Sequence, residues 1–432
     1  MNMKTFSELD VENFRDSVVI IDVDGTLTRD RGETVEKDSA QKLAELAKVA
    51  DVYLSSNAPD ARVQAFAETH GVFYLDTRHK KPSRRVLESL GSHREKLFVI
   101  GDKMLTDGLF ALNIGAQFVH VGRVRHARDP HLMRGMYVFD DLVGPFLRFL
   151  FPVLPYVILM RPVHWIKNGL VFTPLFFAGE FADLSLVLRV SLAAIVFCAA
   201  SSAMYVLNDL IDREQDRLHP SKRGRPLASG VANERGAWAL FFLLAGGVGL
   251  GLLLVPSITP AILGYVALNV LYSLYLKHVA VVDVAAVSVS YVLRVVAGGL
   301  ATAMFVSPWI IWCVFFGALL VIVKKRRAEF MRTPRRRVLE KYSQGLLDFL
   351  LVSAGALAVL SYGLYTVLGS ASPYAIYSTV FVAAGVLRFL HAAENSADAE
   401  YPETLMFRDP WIFLSLTLWV VFMFILLYLF PR

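Results

Sequence analysis

Cysteine and charge are both scarce in this chain of 432 residues. The two cysteines, Cys198 and Cys313, lie inside apolar runs, which excludes a disulfide scaffold and favours simple packing roles. Charged residues make up 19% of the chain and apolar residues 55%, above the roughly 45–50% of soluble domains. Residues 1–14 carry acids and no apolar stretch, so we expect no signal peptide. The composition predicts a protein that lies mostly in a membrane.

The basic excess belongs to the apolar part of the chain. Residues 1–145 hold 20 basic and 22 acidic side chains, whereas the remainder holds 24 and 16. Positive charge that accompanies apolar runs indicates membrane topology rather than nucleic-acid binding. We therefore expect the lipid bilayer, and no nucleic acid, among the partners.

Residues 17–125 alternate short β-branched runs with helical stretches. This alternation predicts a parallel sheet covered by helices on both faces, with function at the carboxyl ends of its strands. The predicted strands are residues 18–22, 51–55, 72–75, 97–101 and 117–121, and the predicted helices are residues 35–49, 60–70, 83–90 and 107–114.

Chemically capable side chains follow several of these strands. Asp22 and Asp24 end the first strand, and two carboxylates this close can divide the roles of nucleophile and proton donor. A hydroxyl and a lysine, Ser56 and Lys81, could hold phosphoryl oxygens, and Asp102 could complete an oxygen cage for Mg²⁺. A single Asp-x-Asp-Gly segment is often only a turn, but four such elements in order favour a phosphate site.

This half resembles the haloacid dehalogenase (HAD) phosphohydrolase superfamily, which has a Rossmann-like α/β fold. The resemblance implies that Asp22 is the nucleophile, Asp24 the general acid/base, and Ser56 with Lys81 the phosphate holders. It implies Mg²⁺ ligation by Asp22, Asp24 and Asp102. Ser55 and Lys80 are adjacent alternatives, and Asp107 is a supporting acid. The short loop after Leu27 leaves no room for a cap domain, so the site should be open to a bulky phosphate ester.

Nine apolar runs long enough to span a bilayer follow, and they predict an all-α membrane domain. They are residues 166–181, 187–210, 237–254, 261–276, 284–303, 309–323, 349–368, 374–390 and 411–430. The first run is short, and a tilted or partly re-entrant course is an alternative for it. Residues 142–160 fit an interfacial amphipathic segment better. The predicted domains are therefore residues 1–141, 142–160 and 161–432.

The loop charges predict the orientation of these spans. The connections 212–236, 277–283, 324–345 and 391–410 would lie on one side, and lysine and arginine concentrate in the first three. The alternate connections, near residues 179–185, 255–260, 305–308 and 369–373, contain none. By the positive-inside rule, the N-terminal domain and the acidic motif described next face the cytoplasm.

An acidic motif ends the second span. Asn208, Asp212 and Asp216 recur every four residues and share one helix face, with Asp209 beside them. Like charges this close destabilise a helix unless a cation binds, and Mg²⁺ carrying a diphosphate suits the arrangement better than a solvated helix end does. The basic residues that could clamp phosphates are Lys222, Arg223 and Arg225.

This half resembles the UbiA superfamily of intramembrane prenyltransferases over roughly residues 155–430, in the acidic motif and basic segment at residues 208–230 and in its number of spans. It departs from the aromatic-substrate members, because Asp283 is a single acid with Val287 four residues later. The lone acid is followed by Arg294 inside the fifth span. Arg294 is a candidate phosphate ligand, with a structural ion pair to Asp283 as the alternative.

The combination is similar to the decaprenyl-phosphate phosphoribosyltransferase branch of that superfamily, also in residues 161–168, 324–329 and 402–409. The resemblance implies phosphoribosyl pyrophosphate (PRPP) and a polyprenyl phosphate as substrates, Mg²⁺ as cofactor, and the cytoplasmic membrane of a bacterium as location. It leaves a homo-oligomer open. The implied catalytic residues are Asp209, Asp212 and Asp283, and the implied metal ligands are Asn208, Asp209, Asp212 and Asp216. The implied substrate-binding residues are Lys167, Asn168, Tyr205, Lys222, Arg223, Arg225, Tyr272, Lys277 and Arg294.

We therefore expect a bifunctional membrane enzyme. Its helical domain would transfer 5-phosphoribose from PRPP to a polyprenyl phosphate, and its HAD-like domain would remove a phosphate, plausibly the 5-phosphate of that product. An alternative is a prenyltransferase that moves a polyprenyl chain onto an aromatic acceptor, against which the missing second acidic pair counts. In a third interpretation the HAD-like half is an idle regulatory or docking module, which the intact Asp22 and Asp24 oppose.

Overall fold

The chain is described here from a computed structural model, which covers residues 4–29, 32–57, 61–75, 81, 96–124, 131–218, 222–332, 337–370, 372–395 and 408–429. The chain divides into two compact units, each described by itself below. The first comprises Met1–Arg161 with Tyr205–Phe241, and the second comprises Pro162–Met204 with Phe242–Arg432. The domain boundaries predicted from the sequence stay a prediction.

The first unit contains the predicted parallel sheet. Its five strands lie in the order β3-β2-β1-β4-β5, and every pairing is parallel. The strands are β1 Ser17–Asp22, β2 Asp51–Ser55, β3 Phe73–Tyr74, β4 Lys96–Gly101 and β5 Gln117–His120. The first helices are α1 Lys37–Leu46, α2 Ala61–His70 and α3 Leu109–Ile114, with a π-helical turn Met104–Gly108 before α3. The α/β fold is thereby confirmed, and only the predicted helix 83–90 lies outside the described residues.

Alternation along β1 explains why both faces of the sheet are covered. Val19 and Ile21 enter one apolar core, whereas Val18 and Ile20 enter the other. Successive side chains of a strand point to opposite faces, so a strand that is apolar throughout needs packing on both sides. Because the strands are parallel, the polar residues that follow β1, β2 and β4 lie along one edge of the sheet.

Two helices follow the sheet, α4 His131–Leu150 and α5 Leu154–Met160. They are bent by 68° relative to each other. Large apolar side chains on α4, among them Leu142 and Phe149, are exposed. The exposed face agrees in character with an amphipathic segment at 142–160, whose interfacial position stays a prediction.

Eight helices of the described chain are long and apolar enough to cross a membrane, which confirms an integral membrane protein. They are Leu184–Ile211, Glu234–Leu254, Pro256–Leu274, Val282–Thr302, Pro308–Met331, Gln344–Leu368, Pro373–Ala392 and Pro410–Leu429. The α-helices after α5 are α6 Thr173–Ala178, α7 Leu184–Ile211, α8 Arg213–Leu218, α9 Glu234–Leu254, α10 Thr259–Leu274, α11 Val282–Thr302, α12 Pro308–Arg332, α13 Gln344–Leu368, α14 Thr379–Asn395 and α15 Pro410–Phe424.

The first predicted span, residues 166–181, is not one long α-helix, whereas the other eight predicted spans match the eight long helices of the described chain. This part of the chain forms a 3-10 helix, Pro162–Phe172, followed by the short helix α6. Pro174 lies at the start of α6, where a continuing α-helix would lose a hydrogen bond and meet a steric clash. Gly179, with φ of 75°, then ends α6.

Close approach of backbones positions α11 in the second unit. A Cβ placed on Gly298 would lie 1.9 Å from the carbonyl oxygen of Val171 in the 3-10 helix. Gly298 therefore allows a contact that no larger residue permits, as is common where membrane helices pack.

Substitution of this glycine tests the contact. We expect Gly298→Ala to lower the thermal unfolding midpoint of the detergent-solubilised protein, because overpacking costs about 1–3 kcal/mol. The matched control is Gly317→Ala in α12, where an added Cβ meets nothing within 4 Å. That control should leave the midpoint unchanged or raise it, since alanine favours a helix over glycine by roughly 0.5–1 kcal/mol. Equal midpoints for the two variants would contradict the packing.

Candidate active sites

The first candidate site lies where β1 and β4 end. Carboxylate oxygens of Asp22, Asp102 and Asp107 all lie within 4.8 Å of one another, and all three residues are buried. The Lys81 ammonium donates to Asp22 and, over 2.8 Å, to Asp107. The structure thus brings together Asp22, Lys81 and Asp102, which were predicted for phosphate chemistry, and Asp107, which was predicted as a supporting acid.

The charges of this cluster set the protonation of the expected nucleophile. Burial alone would raise the pKa of the Asp22 carboxyl, but the Lys81 and Lys103 ammoniums outweigh it and hold this pKa below its ordinary value. Burial, together with the negative charge of Asp22, raises the pKa of Asp107 to about 6. Asp22 is therefore ionised at neutral pH, the state that a nucleophile needs.

The Asp24 carboxylate binds two residues outside this cluster. The carboxylate accepts two hydrogen bonds from Arg62, at 2.8 and 3.0 Å, and one from the Ser56 hydroxyl at 2.9 Å. Its backbone oxygen instead accepts from the Lys103 ammonium at 2.7 Å. If Asp24 contributes to a metal site, this geometry offers its carbonyl rather than its carboxylate.

A glycine allows the first loop to reach Asp102. Gly25 has φ of 91°, and a Cβ there would lie 2.7 Å from an Asp102 carboxylate oxygen. Both the left-handed backbone and the close approach exclude larger residues. The Asp-x-Asp-Gly segment therefore both forms a turn, at Gly25, and contributes Asp22 to the candidate site.

Arg123, after β5, holds Asp102 from the other side. Its Nε donates to the Asp102 carboxylate at 2.5 Å, and its other nitrogens reach Asp140 and Asp141 of α4 at 3.0 and 3.1 Å. The guanidinium also lies 4.3 Å from the ring centre of Tyr137. Helix α4 is thereby anchored to the candidate site within the first unit.

The second candidate site, also in the first unit, is the acidic end of α7 with α8. Asp209 Oδ1 accepts from Arg161 at 2.6 Å and from Arg225 at 3.1 Å. Asp216 accepts from Arg225 at 2.6 Å and lies 3.3 Å from the Lys222 ammonium. Asp209 and Asp216 are thus each contacted by two basic side chains, and Arg225 contacts both acids.

Asp212 differs from its two acidic neighbours. It lies at the break between α7 and α8 and is half-buried, and no hydrogen bond or ion pair of its carboxylate occurs among the described residues. Oδ2 of Asp209 likewise accepts no hydrogen bond in the described part of the chain. Carboxylate oxygens of this kind fit a hard cation such as Mg²⁺. Asn208 is half-buried in the last turn of α7.

Two other predicted residues belong to this region. The Tyr205 ring faces the Arg161 guanidinium at 4.8 Å, which places Tyr205 beside the Asp209 pair. Arg223 is half-buried, and the described residues offer it no hydrogen-bond or ion-pair partner.

In the second unit, Arg294 is buried on α11 and pairs with Asn168 rather than Asp283. Its Nε donates to Asn168 Oδ1 at 2.8 Å, and Phe197, Tyr265 and Tyr291 surround the guanidinium with ring centres 5.0–5.6 Å away. The alternative of an Arg294–Asp283 ion pair is therefore wrong. Lys167 lies 5.7 Å from the ring centre of Tyr291.

Asp283 has a different cationic partner. It accepts from Arg326 Nε of α12 at 2.9 Å and from the Tyr342 hydroxyl at 2.5 Å. Arg326 also contacts the hydroxyl of Tyr272, another predicted residue, at 3.2 Å. Lys277 is half-buried in the 3-10 helix Leu276–His278 and makes no side-chain hydrogen bond to the described residues.

The sequence matches two known protein families. Residues 169–407 match the UbiA prenyltransferase family, and residues 79–144 match a HAD-hydrolase-like family. The chain belongs to the UbiA prenyltransferase family. Its HAD-like match includes Lys81 and Asp102 but not the segment that carries Asp22 and Asp24.

Several relatives of this UbiA-family enzyme carry informative names. It is 34% identical over 274 residues to the decaprenyl-phosphate phosphoribosyltransferase of Mycobacterium tuberculosis, covering 60% of this chain and 90% of that protein. The protein of the same name from Corynebacterium glutamicum is 33% identical, with 63% and 86% covered. The nodulation protein NoeC of Azorhizobium caulinodans is 33% identical, with 51% and 74% covered.

Among solved structures, a UbiA homologue from Archaeoglobus fulgidus bound to DMAPP and Mg²⁺ is similar. It has a TM-score of 0.49 and 20% identity, with 63% of this chain and 98% of that chain covered.

The sequence did not assign a site role to five cations of this UbiA-family chain, namely Arg62, Lys103, Arg123, Arg161 and Arg326. Each pairs with a predicted acid, but only Lys103 lies next to its acid in sequence. The other four pairings span 21 to 48 residues, and no local pattern reveals them.

The anchor between α4 and the first site can be tested with two neighbouring acids. Asp140 is buried and accepts from the backbone N–H groups of Met104 and Leu105 as well as from Arg123. We expect Asp140→Ala to speed hydrogen exchange of residues 104–114 in the full chain by roughly tenfold or more, because buried donors would lose their acceptor.

The control for that experiment is Asp141→Ala. The Asp141 side chain is 45% exposed and is bonded to Arg123. Its loss should change the same exchange rates only a few-fold. Unchanged exchange in Asp140→Ala would show that Asp140 does not support this turn.

Proposed function

We propose that this UbiA-family enzyme transfers 5-phosphoribose from PRPP to a polyprenyl phosphate. The observation that carries the proposal is the interleaved cluster of Asp209, Asp212 and Asp216 with three basic side chains, in a chain about one-third identical to named decaprenyl-phosphate phosphoribosyltransferases. The lipid-phosphate oxygen would form the bond to ribose C1 as the bond from C1 to the diphosphate breaks.

The basic residues of the cluster suit a diphosphate leaving group. Arg161, Lys222 and Arg225 are held near the acids at 2.6–3.3 Å, so their positions are set before substrate arrives. Cations placed in advance stabilise the negative charge that develops as a diphosphate departs. Bound Mg²⁺ would neutralise further charge on that group. Asp209 and Asp212, with Asn208 and Asp216, are the residues that would hold it.

The second unit supplies further proposed substrate contacts. Arg294, with Asn168 and Lys167 nearby, is proposed to meet a phosphate, since an arginine within a membrane-spanning helix is a candidate for function. Asp283 is proposed to position the ribose, and its bond to Arg326 fixes its orientation. Tyr272 and Lys277 are proposed to line the same substrate path.

We also propose that both candidate sites of the first unit face the cytoplasm of a bacterial cell. The support is the concentration of basic residues in alternate connections. This orientation requires the segment that starts at Pro162 to cross the membrane. At about 2.0 Å per 3-10 residue and 1.5 Å per α-helical residue, it has roughly the 30 Å needed.

Substitutions on the acidic face test the transferase. Asp209→Asn and Asp212→Asn should lower formation of lipid-linked phosphoribose from radiolabelled PRPP by roughly 100-fold or more, because a charged ligand of metal and diphosphate is lost. Asp212→Asn is the sharper variant, since it breaks no ion pair with the described residues and should leave folding intact.

The matched control is Glu214→Gln, an exposed acid in α8 whose partners are Arg213 and Arg217. It should keep parental activity. Lys222→Ala and Arg225→Ala should mainly raise the KM for PRPP. Full turnover in both aspartate variants at limiting PRPP would remove the acidic face from the mechanism. Product only from a polyprenyl diphosphate and an aromatic acceptor would favour the prenyltransferase alternative.

We propose that the HAD-like domain hydrolyses the 5-phosphate of the lipid product. Asp22 would attack phosphorus as the ester P–O bond breaks, and Asp24 would give its proton to the leaving ribose oxygen. Water would then hydrolyse the aspartyl-phosphate, with Asp24 taking up the proton. Lys81 and Ser56 would hold the phosphoryl oxygens. The support is the ionised, buried Asp22 beside Lys81.

A relay between the two activities makes a separate prediction. Asp22→Asn protein should accumulate the phosphorylated lipid, whereas Asp212→Asn protein should form neither lipid yet still dephosphorylate added intermediate. Mass analysis of the lipids after incubation with PRPP and polyprenyl phosphate distinguishes the two. Release of phosphate by Asp22→Asn at the parental rate would contradict the relay and favour a docking or regulatory domain.

A further inference from the structure

The ammonium of Lys103 lies where a divalent cation would be expected in the HAD-like site. It is 2.7 Å from the backbone oxygen of Asp24, 2.8 Å from Asp102 Oδ1 and 3.5 Å from Asp22 Oδ2. Two carboxylates and a carbonyl form the kind of oxygen set that Mg²⁺ prefers. Here they surround a side chain of the chain itself.

Lys103 and a metal ion cannot share this position. Mg²⁺ binds oxygen at about 2.0–2.1 Å, so an ion bound to these oxygens would lie within the space that the ammonium fills. Two cations held this close in a buried site would also repel each other strongly. The Asp22 and Asp102 carboxylates, 3.5 and 2.8 Å from the ammonium, favour its charged form.

The acids and cations at this position are paired without a metal ion. The Asp22, Asp102 and Asp107 carboxylates contact Lys81, Lys103 and Arg123, and Arg123 also binds Asp140 and Asp141 of α4. A divalent cation added beside Lys103 would place three positive charges against the Asp22 and Asp102 carboxylates, which is costly in a buried site. A phosphate dianion that arrives with the cation would compensate the added charge.

We propose that Lys103 is an internal counter-ion that holds the divalent-cation position of the HAD-like domain, so that Mg²⁺ enters by displacing this ammonium, together with the phosphate group. Lys103 is thus a positioning residue that couples metal binding to substrate binding. The inference deepens the proposed phosphatase function, but metal binding can be measured without turnover.

Binding of Mn²⁺, followed by electron paramagnetic resonance of the free ion, tests the proposal on the full chain in detergent. The acidic end of α7 could also bind Mn²⁺. We therefore measure binding in Asp102→Asn as well and subtract it, and the difference is the binding at the HAD-like site. We expect Lys103→Gln to tighten the Asp102-dependent binding at least tenfold, and Lys103→Arg, which keeps the charge, to leave it weak.

Arg62→Gln is the matched control, because Arg62 is a cation of the same domain that binds the Asp24 carboxylate and not the three oxygens around Lys103. It should tighten Mn²⁺ binding far less. An equal effect of Arg62→Gln would reveal a general charge effect, and unchanged or weaker binding in Lys103→Gln would show that the ammonium does not compete. Either result overturns the proposal.

The unmodified protein gives a second measurement that needs no folded variant at position 103. Submillimolar inorganic phosphate should raise its Asp102-dependent Mn²⁺ affinity at least tenfold, and phosphate without effect would overturn the coupling. If phosphate and Lys103→Gln act as expected but no monoester is hydrolysed, the phosphatase proposal fails alone. If a monoester is hydrolysed and both binding results fail, the counter-ion proposal fails alone.

Discussion

Neutralisation of buried charge is the constraint on which both units depend. Asp22 with Lys81, Asp102 with Arg123, and Asp283 with Arg326 are buried pairs whose members come from different elements. Removing one partner of such a pair commonly costs about 3–5 kcal/mol, because the other charge stays buried without compensation. Each pair therefore fixes the relative position of two elements within its unit. The residues that make up the candidate sites also hold the fold together.

The sequence alone predicted the α/β fold and the acids at the carboxyl ends of its strands. β1, β2 and β4 appear at the predicted places, since a run of β-branched residues between turn signals is a local pattern. Asp22 and Asp102 follow those strands, and parallel topology alone brings the ends of β1 and β4 together. The eight long membrane helices were equally accessible, because length and apolar composition define them.

Several cations of the candidate sites could not be predicted in the same way. An arginine such as Arg123 or Arg326 has no local feature that distinguishes it from a surface arginine, and only the tertiary fold selects its acid. The helix type of the membrane segment that begins at Pro162 was not predicted, for another reason. Its composition resembles that of a span, but its backbone takes a conformation whose period matches neither an α-helix nor a strand.

The 3-10 helix Pro162–Phe172 has three residues per turn, so residues three apart lie above one another and its side chains form three straight rows. One row has Val163, Ile166 and Gly169 exposed and ends at the half-buried Phe172, whereas Asn168 and Val171 lie buried in another. A single inserted residue would turn every later row by about 120° and move the row that carries Asn168 to the exposed position. Insertion of three residues would restore the rows. Only insertions or deletions of a multiple of three residues therefore keep the buried and exposed rows of this segment in place, unlike in the α-helices around it.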